Sequence, residues 1–200
     1  TPSDLEDATD SDDEDEEHEE EEPEVVPSEE EKIVYLTFDD GPGPYTQRLL
    51  DICAKYNVKV TFFVTNQFPA YQGMIAKEAA AGHAVAIHTY SHDYSIYQSS
   101  TTFYNDLYKM QSVIQQQTGI KTNLLRFPGG GSNAISKGYC PGIMTTLTQS
   151  VQQNGFVYFD WNVSSGDAGG TTSASGVAQN VINGMKTHDV SVVLQHDIKQ

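Results

Sequence analysis

Two kinds of apolar pattern alternate along residues 32–200. Short runs rich in β-branched and aromatic residues predict strands, and longer segments with apolar residues at helical spacing predict helices. The predicted strands are residues 32–38, 58–64, 85–87, 123–127, 156–161 and 190–194. The predicted helices are residues 45–56, 71–81, 103–118, 143–154 and 174–188. This repeated alternation indicates parallel strands joined by crossover helices, and hence an α/β fold with either an open doubly wound sheet or a barrel.

Residues 1–31 have a different pattern, because they combine few apolar residues with a run of negative charge. The 200-residue chain has 28 acidic and 11 basic residues and a formal net charge of -17. Of these, 18 acids and no base lie in residues 1–31, which leaves residues 32–200 with a net charge of +1. Such a segment buries too little apolar surface to offset its ordering entropy. We therefore predict a disordered acidic linker at residues 1–31 and one folded domain at residues 32–200.

The composition also argues against several classes of protein. No apolar stretch reaches the roughly 18 residues that a membrane span requires. A repulsive linker and a nearly neutral domain offer no electrostatic footprint for nucleic acid. The N-terminus lacks the basic and apolar regions of a signal peptide, so we expect an export signal or an anchor upstream of this chain. Cys53 and Cys140 are too few for a disulfide scaffold or a Cys-ligated zinc site, and the sequence leaves open whether they pair.

Polar residues follow five of the predicted strands at the point where each strand ends. They are Asp39 and Asp40, His88 and His92, Arg126, Asp160 and Asp167, and His196 and Asp197. Each has an ordinary structural interpretation by itself, as a turn, a helix cap, an ion pair or a strand end. Because the C-terminal ends of parallel strands meet on one rim, we expect these side chains to lie together. Their coincidence on that rim favours a metal site.

The two histidines and the paired carboxylates have a chemical logic. His88 and His92 lie four residues apart and would face one side if the segment formed one helical turn. Two neutral imidazoles and one carboxylate form a facial ligand set that suits zinc and also accepts cobalt, manganese or nickel. The second carboxylate is then a general base for water at the metal, and His196 donates a proton to the leaving group. This set suits hydrolysis of an amide or ester through a tetrahedral oxyanion held by the metal.

Five motifs across residues 35–197 resemble those of the polysaccharide deacetylases of carbohydrate esterase family 4, the NodB homology domain. The sequence Thr-Phe-Asp-Asp-Gly-Pro resembles the first motif, whose first aspartate is the general base and whose second binds the metal. The resemblance thus implies Asp39 as the base and Asp40 as a ligand. The sequence His-Thr-Tyr-Ser-His is similar to the second motif, which supplies the two histidine ligands, here His88 and His92.

The remaining three motifs imply roles for five further residues. Arg126 opens a stretch similar to the third motif, whose arginine orients the base aspartate. In the same motif, the loop at Gly129 is implied to donate a backbone N–H to the oxyanion. Asp167 of the fourth motif is implied to tune the acid histidine. Leu194 and His196 of the fifth motif are implied to line the pocket for the acetyl methyl group and to serve as the general acid.

The resemblance implies a distorted (β/α) barrel with one divalent metal ion, most simply zinc. It implies a hydrolase that removes N-acetyl groups from a cell-wall polysaccharide. The variant of the third and fourth motifs favours peptidoglycan N-acetylglucosamine as the substrate, with chitin oligomers and acetylxylan as alternatives. The resemblance further implies a monomer that is extracellular or associated with the cell envelope. A catalytically weak or inactive carbohydrate-binding module on the same fold is the alternative from another functional class.

The sequence departs from the family pattern at several places. Gly129 stands where many members carry tyrosine, and Ala168 stands where many carry tryptophan, so the groove wall is either more open or rebuilt, with Trp161 as a candidate. Members continue after the fifth motif into a closing helix, so we expect that a chain stopping at Gln200 is truncated. Three tyrosines beside the predicted metal histidines either stack on a sugar or pack their loop: Tyr90, Tyr94 and Tyr97.

Overall fold

The structure is a computed structural model that describes residues 32–171 and 173–198. The predicted disorder of residues 1–31 lies outside the described residues. The strands are β1 (Ile33–Asp39), β2 (Thr61–Val64), β3 (Ala84–Ile87), β4 (Leu124–Leu125), β5 (Val157–Tyr158), β6 (Val163–Ser164) and β7 (Val190–His196). The helices are α1 (Thr46–Tyr56), α2 (Met74–Ala80), α3 (Ser100–Thr118), α4 (Ile143–Gln153) and α5 (Ala174–Met185). Short 3₁₀ turns cover Pro69–Tyr71, Tyr94–Gln98 and Ile135–Gly138.

The seven strands form one parallel sheet in the order β5-β4-β3-β2-β1-β7-β6. The two edge strands, β5 and β6, are neighbours in the sequence and are separated by residues 159–162, which we call the closing segment. At one end of this segment the Phe159 N–H donates to the Leu125 carbonyl at 2.8 Å, and at the other the Asn162 N–H donates to the Val192 carbonyl at 3.2 Å. One extended segment thus bonds to β4 on one side and to β7 on the other, so the sheet curls towards closure. The predicted distorted (β/α) barrel is confirmed.

The prediction of a single strand at residues 156–161 is wrong. The chain forms the two-residue strand β5, leaves the neighbourhood of β4 through the closing segment, and then forms β6 beside β7. The reason is the curl of the sheet, which changes the hydrogen-bonding partner midway along one extended segment. A period-2 pattern reports extended backbone but not the identity of the partner strand.

Helix α3 shows how local sequence sets an element. Its buried side chains follow helical spacing and form the inner face: Phe103, Leu107, Met110, Gln111 and Ile114. The Ser99 side chain accepts a hydrogen bond from the Thr102 N–H, which caps the N-terminus and starts the helix three residues before the predicted position. Gly119 ends it in the left-handed conformation.

The hydrophobic core lies between the sheet and helices α1 to α4. A run of aromatic rings crosses it, with centroid separations of 6.2 Å between Tyr97 and Phe103, 5.3 Å between Phe103 and Phe127, and 5.3 Å between Phe127 and Tyr158. These rings fix the segments that follow β3 and β4 against α3 and β5. Cys53 is buried and forms no disulfide with Cys140. Among the described helices, none has both the length and the apolar character to cross a membrane.

Helix α2 buries a carboxyl group that is poorly accommodated. Glu78 is fully buried, and neither of its side-chain oxygens has a hydrogen-bond partner among the described residues. Burial, with a smaller contribution from the charge of Asp197, raises the pKa of Glu78 well above its ordinary value of 4.5. An acid whose pKa is higher in the folded state than in the unfolded state makes the protein less stable as the pH rises above the unfolded value.

We therefore expect Glu78→Gln to stabilise the protein in a pH-dependent way. The free energy of unfolding should increase by about 1–3 kcal/mol at pH 7.5, and the gain should shrink towards pH 4.5, where the unfolded carboxyl is half protonated. Urea denaturation at the two pH values measures this, with the exposed Asp51→Asn in α1 as the control. A gain of equal size at both pH values would contradict the assignment to ionisation.

Candidate active site

The residues predicted from the five strand ends lie together at one rim of the barrel. Asp39 and His196 are the last residues of β1 and β7 and are in register with each other. His88 directly follows β3, and Arg126 directly follows β4. Asp167 lies three residues after the end of β6. The topology therefore brings groups that are far apart in sequence to one edge of the sheet.

A buried ion pair lies at the centre of the rim. The Arg126 Nη1 donates to Asp39 Oδ1 at 2.8 Å, and both side chains are almost completely shielded from solvent. Burial raises the pKa of Asp39 to about 6, although the charge of Arg126 and its hydrogen bond act to lower it. Arg126 therefore holds the Asp39 carboxyl group in one orientation through Oδ1, and the pKa of the group lies close to neutral pH.

All three nitrogens of the Arg126 guanidinium group donate hydrogen bonds, and these bonds fix the side chain. Its Nε and Nη2 donate to the carbonyl oxygens of Phe159 and Asp160 at 3.0 and 3.3 Å. Its Nη1 also donates to Thr37 Oγ1 at 2.6 Å, and the Thr37 hydroxyl donates onward to the Val193 carbonyl at 2.7 Å. Sequence reasoning assigned no role to Thr37, although it stands in the first motif. Thr37 and Asp39 are two residues apart on β1, and this spacing is the signal that places both on the inner face of the sheet.

Asp40, His88 and His92 form a group that is able to hold a metal ion. One ligand atom of each residue lies within 4.8 Å of the others. His88 Nδ1 is 2.8 Å from the Arg126 carbonyl oxygen, which accepts a hydrogen bond from it and leaves Nε2 directed at the carboxylates. Burial, and next the neighbouring His92, lower the pKa of His88 to about 3, so the ring is neutral, as a metal ligand must be.

The backbone at this group is unusual for residues other than glycine. Asp40 has φ 74°, Thr89 has φ 66° and His92 has φ 55°, all in the left-handed region. Such conformations are retained where the surroundings determine them, and they occur often at ligand-binding sites. The residue after Asp40 must be glycine, because a Cβ at Gly41 would lie 2.1 Å from Asp197 Oδ1.

The chemistry of these three side chains fits a divalent cation. Asp40 Oδ1 is buried and has no hydrogen-bond partner among the described residues, although His92 Nε2 is 3.2 Å away. A buried carboxylate oxygen without a donor is costly unless a cation or a proton satisfies it. Two imidazole nitrogens and one carboxylate oxygen match the ligands of zinc, and also those of cobalt, nickel or manganese.

His196 and Asp167 form a second pair across the site. His196 Nδ1 is 2.9 Å from Asp167 Oδ1, and the His196 backbone N–H donates to Asp167 Oδ2 at 2.7 Å. Burial lowers the pKa of His196, whereas the hydrogen bond to Asp167 and the negative charge of Asp167 raise it. The net result is a pKa above the ordinary value. The Nε2 atom of His196 faces the metal group, 3.9 Å from Asp40 Oδ2.

The loop after Arg126 contains three successive glycines, residues 129–131, which we call the glycine loop. Gly129 is an exposed residue with φ 78°, and its N–H has no acceptor among the described residues. The side chain of Asp160 accepts a hydrogen bond from the Gly131 N–H at 2.8 Å and so ties the loop to the closing segment. Leu194 lies on the same face of β7 as His196 and is in register with Thr37, directly below the rim.

The sequence pattern groups Asp197 with the site residues, but the structure gives its side chain a contact that supports the fold. It is buried, and its Oδ2 accepts a hydrogen bond from the hydroxyl of Thr46, the first residue of α1. Burial raises the pKa of Asp197 to about 6, and the bond to Thr46 opposes this effect. Asp197, directly after β7, therefore connects the end of this strand to the start of α1.

A family profile described as polysaccharide deacetylase matches residues 27–139. The peptidoglycan-N-acetylglucosamine deacetylase of Bacillus cereus is 32% identical over 179 residues, which cover 85% of this chain and 61% of that protein. Chitin deacetylase 1 of Cryptococcus neoformans var. grubii is 29% identical over 185 residues, which cover 88% of this chain and 39% of that protein. The chain thus spans less than two thirds of the length of these curated relatives.

A solved structure is also similar. It is the catalytic domain of the peptidoglycan N-acetylglucosamine deacetylase of Eubacterium rectale, with 59% sequence identity and a TM-score of 0.84. The match covers 87% of this chain and 80% of that chain.

The geometry predicts that metal binding depends on His88. We expect the protein to bind about one equivalent of zinc. The variant His88→Ala should bind zinc more than about 100-fold more weakly, because loss of a direct ligand costs more than loss of an outer-shell partner. Isothermal titration calorimetry measures both. The matched control is His188→Ala, three residues after the end of α5, which should bind zinc like the parent protein. Equal affinity of the two variants would contradict this metal group.

Proposed function

The chain belongs to the polysaccharide deacetylase family, and on this premise we propose that it hydrolyses the N-acetyl groups of a cell-wall polysaccharide. We infer that the preferred substrate is the N-acetylglucosamine of peptidoglycan, because the relatives in Bacillus cereus and Eubacterium rectale bear that name. The named chitin deacetylase makes chitin oligomers the second candidate. Such substrates place the protein outside the cell or at its envelope. The observation that carries the proposal is a carboxylate and a histidine, in register on adjacent strands, that both face one Asp–His–His group.

Asp39 serves as the general base. Arg126 holds its Oδ1, while Oδ2 lies 3.6 Å from His88 Nε2 and so faces the metal group. This free oxygen removes a proton from the attacking water. A base acts best when its pKa is near the working pH, and the pKa of Asp39 is raised by burial to about 6. Arg126 is the positioning residue for this carboxylate.

His196 serves as the general acid. Asp167 accepts the hydrogen bond from Nδ1, which fixes the ring and leaves Nε2 to carry the transferable proton. The raised pKa of His196 favours the protonated ring near neutral pH. Its Nε2 delivers the proton to the departing amine of the sugar. Asp167 acts through His196 and supplies no proton itself.

The acyl oxygen meets two stabilising elements. Asp40, His88 and His92 would hold a divalent cation, which would supply Lewis acidity to the attacking water and to the acyl carbonyl. The Gly129 N–H donates a hydrogen bond to the same carbonyl oxygen as negative charge develops. Leu194, below the rim on the face of β7 that carries His196, provides the apolar surface for the acetyl methyl group.

We expect the zinc-loaded protein to release acetate from peptidoglycan and from N-acetylglucosamine oligomers faster than from acetylxylan. A chelator should abolish release, and added zinc should restore it. An enzyme-coupled acetate assay run in parallel on the three substrates measures this. Absence of release from all three would overturn the proposed function, and tight glycan binding without release would favour a carbohydrate-binding module.

Asp39→Asn tests the assigned base. The amide keeps an oxygen for Arg126 but accepts no proton, so kcat should fall by about 10²–10⁴-fold while the protein still binds zinc. Acetate release together with zinc calorimetry measures both quantities. Asp51→Asn, on the exposed face of α1, is the control and should keep full activity. Substantial kcat in Asp39→Asn would assign the base to another group.

A further inference from the structure

The side chain of Tyr94 forms one wall of the active site and covers the glycine loop, although Tyr94 belongs to another loop. Tyr94 is the first residue of the 3₁₀ turn Tyr94–Gln98, which follows the metal histidines. Its ring centroid lies 5.8 Å from that of His92, with the two planes at 62°. A Cβ at Gly129 would lie 3.4 Å from both Cε1 and Oη of Tyr94. The phenol ring therefore occupies the space directly above the loop that carries the Gly129 N–H.

Tyr94 differs from the two other tyrosines of this region. The hydroxyl of Tyr97 donates to the Pro128 carbonyl at 2.8 Å inside the core, and the hydroxyl of Tyr90 accepts from Asn66 Nδ2 at 2.8 Å. Lys109 also lies over the Tyr90 ring at 3.6 Å. Tyr94 is half-buried, and its hydroxyl has no hydrogen-bond partner among the described residues. Two of the three tyrosines thus satisfy the fold, whereas the polar end of Tyr94 is free at the active site.

The turn that carries Tyr94 is held firmly at both ends. Asp93 caps it by accepting a hydrogen bond from the Ser95 N–H at 2.8 Å. Ile96 and Tyr97 are buried, and the bond from Tyr97 to Pro128 ties the turn to the segment before the glycine loop. The ring is therefore positioned before any ligand arrives, which lowers the entropy cost of binding.

We propose that Tyr94 is a substrate-positioning residue that recognises the N-acetylated sugar unit at the active site. Its ring forms an apolar wall for the pyranose, and its free hydroxyl hydrogen-bonds a polar group of that sugar. This inference rests on the proposed function and adds a named recognition element to it. Aromatic side chains suit this task because they combine a large apolar surface with a polar tip.

The contribution of Tyr94 acts on the bound sugar and not on the acyl carbonyl. The interaction is present in the ground state and in the transition state alike, and an interaction of this kind lowers KM and leaves kcat almost unchanged. A purely structural role would behave differently, because loss of the contact with His92 would disturb the metal group and lower both kcat and zinc affinity.

The experiment compares Tyr94→Phe, Tyr94→Ala and the control Tyr56→Ala, which removes an exposed ring at the end of α1 away from the rim. With an N-acetylglucosamine pentamer as substrate and saturating zinc, we expect Tyr94→Phe to raise KM by about 2–10-fold, the effect of one hydrogen bond. Tyr94→Ala should raise KM further, with kcat and zinc affinity retained, and Tyr56→Ala should leave all three unchanged. An unchanged KM in Tyr94→Ala, or a joint fall of kcat and zinc affinity, would overturn the proposal.

A second measurement separates this inference from the proposed reaction. Calorimetric titration of the same pentamer into Asp39→Asn and into Asp39→Asn combined with Tyr94→Ala needs no turnover. Weaker binding by the double variant supports the role of Tyr94, and equal binding overturns it. Lack of acetate release by the parent protein would overturn the proposed function alone, since the binding comparison decides the inference by itself.

Discussion

The buried pair of Arg126 and Asp39 is the interaction on which the site depends. An arginine that is fully withdrawn from water is tolerated only when its charge and its N–H groups are satisfied, and removal of one partner from such a pair typically costs about 3–5 kcal/mol. Here the guanidinium group draws its partners from β1 and from the closing segment, while the backbone carbonyl of Arg126 accepts from His88. One residue therefore orients the Asp39 carboxylate, fixes the His88 ring and bonds to the closing segment.

Around that pair, the sheet and the loops contribute differently. Asp39 and His196 lie in register on adjacent strands, so the proposed base and the proposed acid share the rigidity of the β1–β7 ladder. The proposed metal ligands lie on loops, and Asp40 and His92 adopt left-handed backbone conformations there. Strands thus hold the groups proposed to transfer protons, while loops with strained backbone hold the proposed ligands beside them. This division is consistent with function being carried by loops that a stable scaffold positions.

The sequence predicts the strand–helix alternation and the clustering of Asp39, His88, Arg126 and His196, because burial and strand polarity leave periodic traces. It does not predict β6, since a two-residue strand has no period and its partner is set by the curl of the whole sheet. Tyr94 and Tyr97 are equivalent in the sequence, yet Tyr94 is half-buried at the site and Tyr97 is fully buried in the core. That difference arises from contacts with segments 30 or more residues away, such as Pro128, which no local pattern contains.

The order of strands has a consequence for how this domain acquires its structure during synthesis. β7, the last strand, lies between β1, the first strand, and β6, and it pairs with β1 at seven positions from Ile33↔Val190 to Asp39↔His196. The sheet is therefore incomplete beside β1 until β7 has been synthesised, and contacts of such long sequence separation slow folding. Until then β1 keeps one unpaired edge, and an unpaired strand edge makes a partly folded domain prone to aggregation.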